Sequence, residues 1–169
     1  MQLAEKNRPK ITLVYTTCTS VASVEEKNRP IDMPSLLEEN KFECRVSSVL
    51  NKNVRLYGKK HMFDNSTETC WNSDAGTPQW IIINFKEECD LSNFEIEFQG
   101  GFVGKDCYLE AGSNEKDTTV VEAFYPEDMN NLQRFNLVNK IKAKTFKFLF
   151  NQSTDFFGRI IIYNLSLYS

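Results

Sequence analysis

The chain is short of the residues from which most catalytic and metal centres are assembled. Its 169 residues contain one histidine, His61, and five scattered cysteines, Cys18, Cys44, Cys70, Cys89 and Cys107, with no C-x-x-C pair. A single imidazole excludes any cluster built on two histidines. It leaves one candidate base for a Ser-His or Cys-His scheme, and no third group in the sequence stands out to orient it. An odd number of separated thiols argues against a disulfide framework and against a cysteine zinc site, and reads as reduced cysteine. No G-x-S-x-G, P-loop, G-x-G-x-x-G or H-E-x-x-H pattern occurs. The carboxylate neighbours Glu87-Glu88 and Glu127-Asp128 are the remaining acid–base candidates, but adjacent side chains on a turn diverge instead of converging on a bond. These absences predict a protein that is not an enzyme, and His61 is expected to be exposed and structurally idle.

Basic charge is also lacking. Twenty Lys and Arg stand against 23 Asp and Glu, a formal net charge of -3, and no basic run exceeds Lys59-Lys60. Binding to a phosphate backbone rests on many cations, so no nucleic-acid partner is expected. No apolar run approaches the roughly 18 residues of a membrane span, and no hydrophobic segment of signal-peptide type follows Met1. Residence in the cytoplasm or nucleus is expected, without a membrane partner. The Asn-x-Ser/Thr sequences at Asn65, Asn151 and Asn164 then read as coincidental.

What is present divides the chain in two. Residues 1–42 carry Pro9, Pro30 and Pro34 and one strand-length apolar run, Ile11 to Tyr15, and read as a mostly irregular N-terminal arm. The pentapeptide Glu5-Lys6-Asn7-Arg8-Pro9 recurs as Glu26-Lys27-Asn28-Arg29-Pro30. It is either a local duplication in a solvated linker or a pair of docking pegs for a repeated partner surface. A short helix over Ser35 to Lys41 is compatible with Pro34 just ahead of it.

From residue 43 the hydrophobic period becomes two. Phe94, Ile96 and Phe98 alternate with Glu95, Glu97 and Gln99, and Phe146, Phe148 and Phe150 alternate with Lys147 and Leu149. Further strands are predicted at Val46–Leu50, Trp80–Phe85, Cys107–Ala111, Thr118–Phe124, Leu132–Leu137 and Arg159–Leu167, separated by turn residues such as Gly100-Gly101 and Gly112-Ser113-Asn114. Short strands without intervening amphipathic helices predict an all-β antiparallel sandwich over residues 43–169. Trp71 and Trp80 are expected in its core. Phe102, Phe156 and Phe157 fall in glycine-bearing loops where an apolar ring has fewer places to hide, and are candidate partner-binding residues. Arg159 beside them is either part of that surface or a buried structural arginine.

Several motifs agree in order with a known family. Asp64 opens a loop, Thr69 and Trp71 follow, and Ser73-Asp74-Ala75-Gly76 leads into Gln79-Trp80-Ile81. This pattern resembles the discoidin, or coagulation-factor C-type, galactose-binding-like jelly roll. The segments Arg45 to Asn51, Gly58 to His61, Phe98 to Phe102, Phe124 to Asp128 and Thr154 to Tyr163 further resemble the family of small corepressor proteins associated with a testicular orphan nuclear receptor. The likeness spans about Arg45 to Leu167 and omits the arm. It implies a galactose-binding-like jelly roll acting as a protein-binding adaptor, with a nuclear receptor as partner and a corepressor role. It also implies that a structural calcium could sit on Asp64 and Thr69, although related domains add a Glu where this chain has Asn164. A subunit of a large assembly docked through the repeated arm, and a carbohydrate-binding module, are the alternative expectations.

Overall fold

The computed structural model describes residues 34–37 and 41–169. Seven strands, β1 (Phe42–Val46), β2 (Trp71–Asn72), β3 (Gln79–Phe98), β4 (Gly104–Gly112), β5 (Thr119–Phe124), β6 (Leu132–Ser153) and β7 (Ile161–Tyr168), are joined by one helical turn, α1 (Val54–Tyr57), and short 3-10 turns. All described pairings are antiparallel, in the order β2-β7-β3-β6-β4-β5 with β1 on β3. None of the described helices is long and apolar enough to cross a membrane.

One sheet becomes a two-layer sandwich because β3 and β6 each serve both layers. The first part of β3, Gln79 to Asn84, lies between β1 and the last part of β6, whereas Asn93 to Glu97 lies between β7 and the first part of β6. Between these stretches the register slips twice, at Asn84/Cys89 and at Leu91/Asn93. A bulge inserts an unpaired residue, bends the strand and sharpens its twist, so the ribbon folds over on itself. The alternating residues of both halves then face one interior. Phe94, Ile96 and Phe98 are fully buried, as are Ile81, Ile83, Phe146, Phe148 and Phe150. Phe94 bridges the layers, its ring 5.1 Å from Phe148, 5.1 Å from Phe124 and 5.0 Å from Phe135.

The predicted all-β sandwich is the fold observed, with boundaries that differ. The strand expected at Val46–Leu50 ends at Val46. There Ser47 and Ser48 turn their hydroxyls onto Gln79 Oε1, and Leu50 opens a 3-10 turn in which Asn51 has φ 51°. The runs Trp80–Phe85 and Phe94–Phe98 are parts of β3, and Leu132–Leu137 and Phe146–Phe150 are parts of β6, because bulges bend these strands without ending them. Glu87 and Glu88, expected on a turn, are exposed residues of β3. Residues 34–37 carry no helical turn, while 38–40 lie outside the described residues. The Leu36 N–H instead donates to Leu167 O at 2.8 Å, and Leu36 and Leu37 pack against the core.

Truncating Phe94 removes the ring that joins both layers at a fully buried position. Phe94→Ala is expected to cost about 3–5 kcal/mol, read as a lowered midpoint in urea unfolding with little change in slope.

Candidate functional site

Three loops meet at one end of the sandwich and fix one another by backbone hydrogen bonds. The Gly76 N–H donates to Phe157 O (2.8 Å) and the Ser73 N–H to Ile160 O (2.9 Å), tying residues 73–78 to 154–160. The Thr154 N–H donates to Val103 O (2.9 Å) and the Val103 N–H to Thr154 Oγ1 (2.9 Å), tying 154–160 to 99–103. Gln79 anchors the first loop from below: its amide, 3% exposed, donates to Asp74 O and Gly76 O. Gly158 is required where it stands. Its φ is +80°, and a Cβ there would meet Thr77 Cγ2 at 2.9 Å and the Gly76 backbone at 3.0 Å.

Within this frame Asp155 and Arg159 clamp the turn. Asp155 Oδ2 accepts from the Arg159 backbone N–H and from Nε, each at 3.1 Å, and Oδ1 accepts from a terminal guanidinium nitrogen at 3.3 Å. Burial pushes the Asp155 carboxyl up, but the hydrogen bonds and charge of Arg159 outweigh it and hold the group below the usual carboxylate range. The guanidinium lies 4.8 Å from the Phe102 ring centroid and 5.9 Å from that of Phe157. The result is an apolar spike: Phe156 is 93% exposed and Phe157 63%, their rings edge to face at 5.3 Å. Phe102 is half-buried behind Arg159, so the four expected partner-binding residues form one cluster. Sequence reasoning missed Asp155. The signal was its four-residue spacing from Arg159 across a Gly turn. It also missed exposed Tyr125, on the neighbouring loop whose Asp128 and Asn130 accept from the Gly101 and Gly100 N–H groups.

Asp64 and Thr69 are brought together in a different way. Asp64 Oδ2 accepts from the Thr69 hydroxyl (2.7 Å) and faces His61 Nδ1 (3.0 Å), while Oδ1 accepts from the Ser66 N–H (3.1 Å). His61 is not exposed, as expected from sequence, but buried at 8% in the 3-10 turn Lys59–Met62. Its Nε2 faces the Arg55 carbonyl at 3.0 Å. Both ring nitrogens thus face oxygen atoms of the protein. A calcium ion needs six to eight oxygen ligands. Here both carboxylate oxygens already accept from protein donors, Asn164 Oδ1 is taken by Ser166, and no metal-holding group of three His, Cys, Asp or Glu occurs among the described residues. As these hydrogen bonds stand, Asp64 is the anchor of its loop.

Trp71 is fully buried, its Nε1 donating to Ser48 O at 3.0 Å, whereas Trp80, expected in the core, is only half-buried. The four described cysteines are free, and burial pushes the Cys44 and Cys107 thiols up to about 12 and Cys89 to about 11, a range in which thiolate nucleophiles are scarce. The repeated segments Glu5 to Pro9 and Glu26 to Pro30 lie outside the described residues.

Two outcomes follow for these groups. Calorimetric titration of calcium into the protein is expected to give no binding heat and no rise in melting temperature, for wild type and Asp64→Ala alike. The Asp155 contribution is complete above the unfolded carboxyl value, about pH 4, and fades as pH falls through its lower folded value. Asp155→Asn should therefore be less stable than wild type at pH 7, with the difference narrowing toward pH 2 in acid unfolding curves.

The profile described as a NedA-like, galactose-binding domain matches residues 61–148. Among solved structures, a C. perfringens CBM32 module in complex with GalNAc-β-1,3-galactose superposes with TM-score 0.65 at 14% identity over 76% of this chain and 95% of that one. The family 32 module of C. perfringens NanJ, in complex with galactose, gives 0.62 at 20% identity over 76% and 93%. At these identities they show the fold. Sequence relatives are much nearer. The Nuclear receptor 2C2-associated protein of Danio rerio is 47% identical over 128 residues, 76% of this chain and 91% of the relative. That of Homo sapiens is 46% identical over 121 residues, 72% and 86%. With its sandwich, its loop motifs and this identity over most of both chains, the protein belongs to the nuclear receptor 2C2-associated protein family, built on a galactose-binding-like domain.

Proposed function

We propose that this protein is a non-enzymatic adaptor that docks a nuclear receptor through the loop end of its sandwich. The observation that carries the reading is the pair Phe156 and Phe157, held out from the surface on a turn that Asp155, Arg159 and Gly158 make rigid. Exposing two adjacent aromatic rings is unfavourable in isolation and marks a surface that is covered in use. A preorganised loop loses little conformational freedom on docking, so more of the burial appears as affinity. The names of the relatives direct the reading to a nuclear receptor and to the nucleus or cytoplasm as the place of action. In the same proposal corepression follows from occupying the receptor.

A sugar-binding reading is weaker at this end. Several donors at this end are engaged within the protein, Arg159 Nε and one terminal nitrogen on Asp155 and the Gly100 and Gly101 N–H groups on Asn130 and Asp128.

The test is titration of the purified protein with nuclear receptor 2C2. Phe157→Ser and Phe156→Ser are each expected to weaken binding about tenfold or more, as central aromatic anchors do, while leaving the melting temperature nearly unchanged. Undiminished affinity in the double variant would overturn the reading.

A further inference from the structure

A second surface, separate from the loop end, lies along the open seam of the sandwich. Among the described residues β5 has one hydrogen-bonded neighbour, β4, and the first part of β6 has one, β3. Each leaves its other edge without a neighbouring strand, one at the margin of each layer. Between the two edges runs a cleft of about 330 Å³ lined by Phe94, Leu109, Glu122, Phe124, Phe135 and Leu137. Large exposed apolar side chains concentrate here: Val120, Val121, Tyr125, Met129, Leu132 and Val138 all belong to β5, the start of β6 or the loop between them.

Glu122 gives the seam its chemistry. It is paired in register with the inward-facing Leu109, so the carboxylate sits at the cleft, and its Oε2 accepts the edge N–H of Val138 at 3.1 Å. The other charged lining residue, Arg134, is bound to Glu95 at 2.7 Å. Glu122 forms no ion pair among the described residues. Inward charges on an edge strand oppose indiscriminate strand pairing, so an occupant of this seam has to answer the carboxylate.

We infer that the seam is a strand-addition site for an extended segment of a partner protein, bearing alternate apolar side chains and a Lys or Arg that reaches Glu122. Unpaired edges accept an extended backbone, the apolar floor accepts side chains at period two, and the half-buried carboxylate selects a cation. A nucleic acid or an anionic membrane would meet Glu122, Glu127 and Asp128 and be repelled. The site is independent of the receptor-docking reading.

The test uses the full-length chain and a labelled nonapeptide alternating Val and Thr about a central Lys. Four controls accompany it: a central-Glu peptide, the same Lys peptide with alternate backbone amides N-methylated, and the variants Glu122→Gln and Phe156→Ser. Glu122→Gln keeps an acceptor for Val138 and so preserves the seam. The Lys peptide is expected to bind and to slow hydrogen exchange across residues 119–124. Binding should weaken about tenfold with central Glu or Glu122→Gln, vanish on N-methylation, and change less than twofold in Phe156→Ser. Absence of Lys-peptide binding, equal binding of the methylated peptide, or self-association of the chain through β5 would each overturn the proposal, the last identifying a second copy as the occupant.

Discussion

The antiparallel pairing of β3 with β6 is the contact that every other strand leans on. The two strands run side by side through both layers, so the layers are halves of one ribbon, and β1, β7 and β4 attach to edges that this ribbon provides. Its bend comes from backbone insertions, but what keeps the halves closed is the phenylalanine stack in which Phe94 touches Phe124, Phe135 and Phe148. The ribbon also sets the ends of the molecule. β3 ends at Phe98 and β6 at Ser153, and the loops that follow, 99–103 and 154–160, are the ones that build the aromatic spike.

The two loop regions solve similar problems in different ways. Around Asp64 the carboxylate draws hydrogen bonds inward from Ser66, Thr69 and His61, which closes the loop on itself. Around Asp155 the carboxylate captures an arginine whose flat face then supports Phe102 and Phe157. The first carboxylate closes its own loop; the second supports apolar groups at the surface. The likeness to sugar-binding modules therefore concerns the framework, while the chemistry at the loop end is apolar and internally neutralised.

The sandwich was legible in the sequence because its strands alternate strictly: Phe94-Glu95-Ile96-Glu97-Phe98 reads as one buried and one wet face before any coordinates exist. The bulges were not legible. Between Phe85 and Phe94 the polar run Lys86-Glu87-Glu88 looks like a turn, and only tertiary pairing with Ala143 and Lys142 keeps Cys89 and Asp90 in the strand. His61 was misplaced for a related reason. Its burial depends on the Arg55 carbonyl and Asp64, partners that short-range spacing does not reveal. At the loop end, the aromatics at 156 and 157 stood out beside Gly158, whereas the hidden role of Gln79, an amide bonded to Asp74 O and Gly76 O, leaves no pattern in a linear reading.

The central claim is that partners meet this protein at its rigid loop end. Hydrogen–deuterium exchange of the protein alone and bound to nuclear receptor 2C2 addresses it directly. Docking at the loop end slows exchange in residues 99–103 and 154–160 on binding and leaves the remainder of the sandwich unchanged. Protection elsewhere in the chain with these two loops unaltered would contradict it.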